Sequence, residues 1–227
     1  MGVVRDALAL EEKLAHPPTT IRTLGVTAFL RYQMDDYDTA REMAERMLVV
    51  ARAHESTTRI DDGLVILACV EARQRGNYRP LDELYERLPA RGSGSPAAHR
   101  VVNLVLLAEV LSEVGDGERG LTVLDAIPPE HRDGFLAPEV RRVHGELLLG
   151  RNERPQGERQ LQEAIEIARR RSERILELRA TTSLARLWRQ EGKREEARQM
   201  LGQIYGWFTE GFETRDLQEA KGLLGQL

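Results

Sequence analysis

Apolar residues recur along this chain at the three-and-four spacing of an amphipathic helix almost from end to end. Leu24, Ala28 and Tyr32 share one face of a segment predicted over about 19–34. Ala40, Met43, Ala44, Met47 and Leu48 line the next. Polar turns separate such segments: Asp35-Asp36, Gly76-Asn77, Gly115-Asp116-Gly117, Gly150–Pro155 and Gly192. Asp36 or Asp38 stands where a side chain caps the following helix. The pattern predicts paired helices over about 57–75 and 80–88, 97–114 and 118–127, 137–149 and 156–171, and 174–190 and 194–205. Leu64, Leu67, Ala68 and Val70 are the expected inward positions of the 57–75 helix. A leading helix over 3–14 should stop at His16-Pro17-Pro18, because proline cannot continue it. A final helix over about 216–227 has Thr214 as its expected cap. Runs of period-two alternation are absent, which argues against a sheet.

The paired segments repeat. A small residue on the apolar stripe is followed twelve residues later by a second packing position: Ala28 by Ala40, Cys69 by Leu81, Ala108 by Gly120, Gly145 by Gly157, and Ala185 by Ala197. The first positions recur at intervals of 41, 39, 37 and 40 residues. Small side chains belong where two helices of a hairpin approach most closely, about 8–10 Å between axes. Large residues three or four positions on, among them Tyr32, Leu111, Leu148 and Trp188, fill the groove beside them. The expected fold is therefore all-α: one domain over 1–227 forming a right-handed α-α superhelix of about five helical hairpins. The repeats fall at about 18–54, 57–88, 97–127, 136–171 and 174–205, with a leading half-repeat helix and a capping helix over 214–227. Pro89–Pro96 reads as a flexible loop, either a connection inside the array or a linker between subdomains. The second copy, where Cys69 and Leu81 replace the small pair, is the weakest.

Composition narrows the function. Of 227 residues, 31% are charged and the net charge is -4, so nucleic acid is not an expected partner. No apolar run reaches the roughly 18 residues of a membrane span. Asp6, Glu11 and Glu12 interrupt the N-terminal apolar stretch, which excludes a signal-peptide core there and points to the cytoplasm. Cys69 is the lone cysteine and cannot form an internal disulfide. It reads as a buried, inert thiol. None of the five histidines pairs at metal-binding spacing, and His144 reads as a packing or surface residue. Asp35-Asp36 and Asp61-Asp62 are adjacent carboxylates, which point about 100° apart on a helix. Capping or solvation suits them better than catalysis. No cofactor, metal or catalytic residue is expected, and the chain is expected not to be an enzyme.

Two clusters remain. Arg169, Arg170 and Arg171 with Arg174 end one predicted helix and begin the next. They either offset the helix dipole or form a surface for an anionic partner. Tyr205, Trp207, Phe208 and Phe212 place four of the eleven aromatic residues within eight positions. They either cap the end of the stack or form a partner hot spot.

The fifth hairpin, with Leu184-Ala185, Trp188, Gly192, Ala197 and Leu201, resembles the tetratricopeptide repeat, although the period here is longer than that family's usual one. The stretch Leu176–Leu224 is similar to the C-terminal end of large bacterial regulators, in which a cyclase-like or winged-helix domain and a P-loop ATPase domain precede a tetratricopeptide array. Val143–Gly150 and Ala164–Arg170 look like the preceding repeat of such an array. No GxxxxGK[ST] phosphate loop occurs, so the chain resembles the array alone. The resemblance implies a non-enzymatic interaction or sensor scaffold that engages a protein or peptide partner, such as an ATPase or cyclase domain. An effector-sensing domain of a transcriptional regulator, binding a small molecule, is the alternative. Residues 3–14, lacking a hairpin partner, are expected to fold back or to pair with another copy of the chain.

Overall fold

The computed structural model describes residues 16–88 and 97–227. The leading helix expected over 3–14 and the Pro89–Pro96 loop lie outside them. Among the described residues the chain is all-helical, with no strand. The helices are α1 (Pro17–Gln33), α2 (Tyr37–Ala53), α3 (Thr57–Arg75), α4 (Arg79–Arg87), α5 (Ala97–Glu113), α6 (Gly117–Asp125), α7 (Pro129–Arg132), α8 (Ala137–Gly150), α9 (Arg154–Arg170), α10 (Arg174–Gln190), α11 (Arg194–Tyr205) and α12 (Arg215–Leu224). They form two compact units, Met1–Val110 and Leu111–Leu227.

Neighbours in sequence are neighbours in space. In the first unit α1 packs on α2, α2 on α3 and α3 on α4, and α1 also meets α3. In the second, α8, α9, α10 and α11 pack in succession, α8 meets α10, and α12 packs on both α10 and α11. This is the contact pattern of stacked helical hairpins, in which each first helix also touches the first helix of the next pair.

The turns carry the repeat in backbone form. Asp35, Gly76, Gly115, Asn152 and Gly192 all adopt positive φ, between 57° and 83°. Each follows its repeat's small residue by seven positions, so the left-handed residues keep the spacing of Ala28, Cys69, Ala108, Gly145 and Ala185. The left-handed residue reverses the chain, and the next amide returns to a helix carbonyl: Asp36 N to Arg31 O at 3.0 Å, Asp116 N to Leu111 O at 2.9 Å, Glu153 N to Leu148 O and Lys193 N to Trp188 O, both at 2.9 Å. Only three of the five positions are glycine. Asp and Asn are the other residues that tolerate this region, which is why the Asn152 turn is shorter and sharper than the Gly150–Pro155 segment expected.

Several local expectations need correction. The helix expected from about residue 19 starts earlier, with Pro17 and Pro18 at first-turn positions of α1 where a missing N–H costs nothing, and the stop expected for the 3–14 helix lies outside the described residues. Pro155 behaves alike: α9 starts at Arg154, with Pro155 in its first turn. Asp36 caps α2 by accepting from Thr39 N at 3.3 Å, and Asp116 caps α6 in the same way through Arg119 N. Thr214 precedes α12, but its hydroxyl donates to Gly211 O at 2.7 Å instead of capping. On α3, Leu64 and Leu67 are half-buried, and Val65 and Ile66 take the core positions beside Ala68, Cys69 and Val70. The short helix α7 is additional to the expected elements, because Pro128-Pro129 reads as a breaker.

The small-residue pairs are buried throughout: Ala28, Ala40, Cys69, Ala108, Ala185 and Ala197 are fully covered, and Leu81 is almost so. At Gly145 and Gly157 the reason is visible. A Cβ on Gly145 would stand 3.0 Å from Gly157 O, and one on Gly157 would stand 2.9 Å from Gly145 O. The backbones of α8 and α9 touch there. Gly120 is different, since its Cβ would meet Leu147 of α8 in the following pair. Gly25 and Gly63, which the period does not mark, do the same job on α1 and α3, where Met47 and Leu48 of α2 fill the space of a side chain.

Candidate interaction surface

Most of the charge on the first helices of each pair is already engaged. In the second unit Arg142 of α8 is 5% exposed and binds Glu139 at 2.7 Å and Glu146 at 2.9 Å. Arg179 of α10 joins Glu139 at 3.1 Å to Asp216 of α12 at 2.8 Å, and Ser183 donates to Glu146. Arg186 and Arg215 share Glu219, each at 2.8 Å, and Arg215 reaches Glu113 at 3.2 Å. In the first unit Asp62 of α3 accepts from Asn103 of α5 at 2.8 Å and pairs with Arg59 and His99, while Arg73 meets Glu109. Asp62 with Asn103 in the first unit, and Glu139 with Arg179 and Arg179 with Asp216 in the second, are thus polar links between positions about one repeat apart. Solvation or capping does not describe Asp61-Asp62: Asp61 is 6% exposed and accepts from Arg87 at 2.8 Å. Adjacent residues point to different neighbours, which is why a pair that reads as solvated links two other helices.

Three titratable groups follow from these contacts. Hydrogen bonding from Arg41 holds the Glu71 carboxyl below the usual carboxylate value, with Asn77 and Arg75 assisting. Burial pushes the Glu219 carboxyl up, but Arg215 and Arg186 together outweigh it and the net direction is down. Burial lowers His144, partly offset by a hydrogen bond with Gln160. His144 is half-buried, in keeping with a packing role.

A depressed carboxylate contributes stability above its unfolded value, near about pH 4.3, and that contribution disappears as pH falls through the lower folded value. Glu219→Gln is therefore expected to cost stability near neutrality and progressively less in acid. Denaturant midpoints of the parent and the variant from about pH 7 to about pH 3 test this. A difference that stays constant over that range contradicts it.

The arginine and aromatic clusters meet at one edge of the second unit. Glu177, on the first turn of α10 with its side chain 4% exposed, accepts from Arg169 Nε at 3.0 Å and Arg174 Nη1 at 2.8 Å. Arg174 so held lies over the Trp207 ring, 5.5 Å from its centroid. Arg171 donates to the carbonyls of Asp133 and Gly134 at 3.0 and 2.7 Å, tying the loop before α8 to the loop before α10. Arg170 is exposed. Offsetting the α9 dipole is consistent with all of this, but two of the four arginines also organise neighbouring loops.

The aromatics divide. Tyr205 and Phe208 pack against the core formed by Leu178, Leu201, Leu217 and their neighbours, as an end cap would. Trp207 is 57% exposed and Phe212 39%. The rings are held by Tyr205–Phe212 at 5.9 Å and an edge-on Trp207–Phe208 contact at 5.3 Å. Trp188 is half-buried, bridges two core clusters and donates to Glu158 at 2.7 Å, so it packs α10 on α9. Sequence reasoning misses Glu177, and also Phe135 and Ile175, which are exposed on either side of Arg171 and Arg174. An acidic residue three positions after Arg174 is the available signal for Glu177.

Among the described residues no group of three His, Cys, Asp or Glu is placed to hold a metal, and no helix is long and apolar enough to cross a membrane. No curated protein matches the chain. Residues 178–203, running from the first turns of α10 to near the end of α11, match the sequence model of the tetratricopeptide repeat. The α10–α11 hairpin, in which Ala185 and Ala197 are buried, is thus a tetratricopeptide-type repeat, and the described residues around it are all-helical.

Proposed function

We propose that this chain is a non-enzymatic interaction scaffold that binds a protein or peptide partner. Repeats of this type generally mediate protein–protein contacts and are typically non-catalytic, and the match over 178–203 is the observation that carries the reading. The likeness of Leu176–Leu224 to the terminal arrays of bacterial regulators supports a narrower version. In that version the scaffold is a regulatory array, and its partner is a signalling ATPase or cyclase domain. The small-residue positions from Ala28 to Ala197 then serve the stack itself, while Arg169, Arg170, Arg171, Arg174, Tyr205, Trp207, Phe208 and Phe212 are the partner-facing set.

Cross-linking mass spectrometry of the tagged chain in lysate of its own host tests this. The expected result is one protein recovered repeatedly, with cross-links clustered on one part of the chain. Recovery no greater than with an unrelated helical-repeat protein of the same net charge overturns the scaffold reading.

A further inference from the structure

We infer that the edge formed by Phe135, Arg170, Arg171, Arg174, Ile175 and Trp207 docks an acidic segment of a protein partner that carries apolar anchor residues. The inference rests on the scaffold reading and names the partner's chemistry.

Two loops and the facing ends of α9 and α10 supply this edge. Phe135 follows Gly134, whose carbonyl accepts from Arg171 at 2.7 Å. Ile175 follows Arg174, whose guanidinium lies over Trp207. The contacts therefore run from the loop before α8, through the α9–α10 turn, to the loop before α12. Phe135 is 54%, Ile175 39% and Trp207 57% exposed, so the loop before α8, the first turn of α10 and the loop before α12 each present a large apolar side chain to solvent. Trp and Arg together are the composition that dominates interface energetics, and the stacked, hydrogen-bonded arrangement means little ordering is left to do on binding.

Charge selects the partner. Arg171 spends its hydrogen bonds on two backbone carbonyls, which leaves its charge uncancelled. Arg170 has no ion pair among the described residues. Glu177 is buried between Arg169 and Arg174, and Asp133 is taken by Arg141 at 2.9 Å. Glu173 is the remaining acid of the α9–α10 turn, and Arg169, Arg170, Arg171 and Arg174 outnumber Glu173 and Glu177 there, on a chain whose net charge is -4. The overall negative charge disfavours nucleic acid and anionic membranes, which would meet the whole surface, and favours a short acidic segment that meets only this edge. Glu210 and Glu213 in the Trp207 loop oppose the bound charge, so removing both should tighten binding.

Fluorescence anisotropy with four labelled probes tests the inference. They are a short Asp/Glu-rich peptide with Leu and Phe anchors, the same peptide with Lys in place of its acidic residues, a single-stranded oligonucleotide, and vesicles containing phosphatidylserine. The acidic peptide is expected to bind the full chain at least about tenfold more tightly than the other three, and less tightly as salt rises. Trp207→Ala and Arg170→Gln should each weaken it about threefold or more, with thermal unfolding lowered by no more than a few degrees because both side chains are exposed. Glu210→Gln combined with Glu213→Gln should strengthen it. Equal or tighter binding of any other probe, no binding of the acidic peptide, or indifference to both weakening variants overturns the inference. If cross-linking still recovers a partner in that case, the scaffold reading stands and only the docking edge is wrong.

Discussion

Arg142→Ala is expected to destabilise the second unit by about 3–5 kcal/mol. The guanidinium is 5% exposed and makes bonds to both Glu139 and Glu146. Removing it leaves Glu146 facing only Ser183, and leaves Glu139, itself 4% exposed, to Arg179 alone. Glu139 would then stay out of water with one cation in place of two, Glu146, its side chain 23% exposed, would lose its cation, and that lost compensation dominates the cost. The contrasting variant is Arg142→Met with Glu139→Gln and Glu146→Gln, which removes the cation and the charges it served together. It should recover most of the loss, since replacing a buried ion cluster by uncharged groups of similar volume is often close to neutral. Denaturant midpoints of the two variants decide the matter. A mild Arg142→Ala, within about 1 kcal/mol of the parent, would mean that water reaches the carboxylates readily.

The second large effect is expected at the contact between α8 and α9. Gly157→Val should cost about 1–3 kcal/mol by overpacking, with a fall of roughly 2–4 °C in Tm for each kcal/mol in a chain of this size. The added Cβ would stand 2.9 Å from Gly145 O, a backbone atom that cannot rotate away, and 2.8 Å from Leu149. The two helices would have to separate. Gly202 supplies the control, because it lies inside α11 with nothing within 4 Å of its Cβ position. Gly202→Ala is expected to stabilise by about 0.5–1 kcal/mol through reduced freedom of the unfolded chain. Opposite signs for two glycine replacements in helices would tie the first effect to the close approach, whereas two stabilising outcomes would show that α8 and α9 have room to spare.

Legibility in the sequence differs by element. The α10 and α11 boundaries follow directly from it, at Arg174–Gln190 and Arg194–Tyr205. There the small residues, the turn glycine and the apolar stripe all agree, so no competing signal distorts the ends. The prolines mislead at α1, because a proline that ends one helix is chemically indistinguishable from one that begins the next. Asn152 escapes notice as the left-handed residue of its turn because Gly150 nearby looks the better candidate, although glycine is only the commonest of several residues that fit. On α3 the unbroken apolar run from Gly63 to Val70 offers no single stripe, and the choice of Val65 and Ile66 over Leu64 and Leu67 belongs to its neighbours.

The candidate surface divides along the same line. Both clusters are visible as residue types in unusual local density, but nothing in their numbering connects them, since Arg174 and Trp207 lie more than thirty positions apart. The period of the chain alone determined that its helices pair and about where the pairs turn, because helical spacing and turn chemistry are local properties. Only tertiary structure decided which carboxylate each arginine answers, that Asp61 and Asp62 are interior links, and that Arg174 lies on Trp207. The contacts of Asp61, Asp62 and Trp207 join residues on different elements, and a side chain's partner across a helix interface depends on rotation and distance that no local pattern encodes.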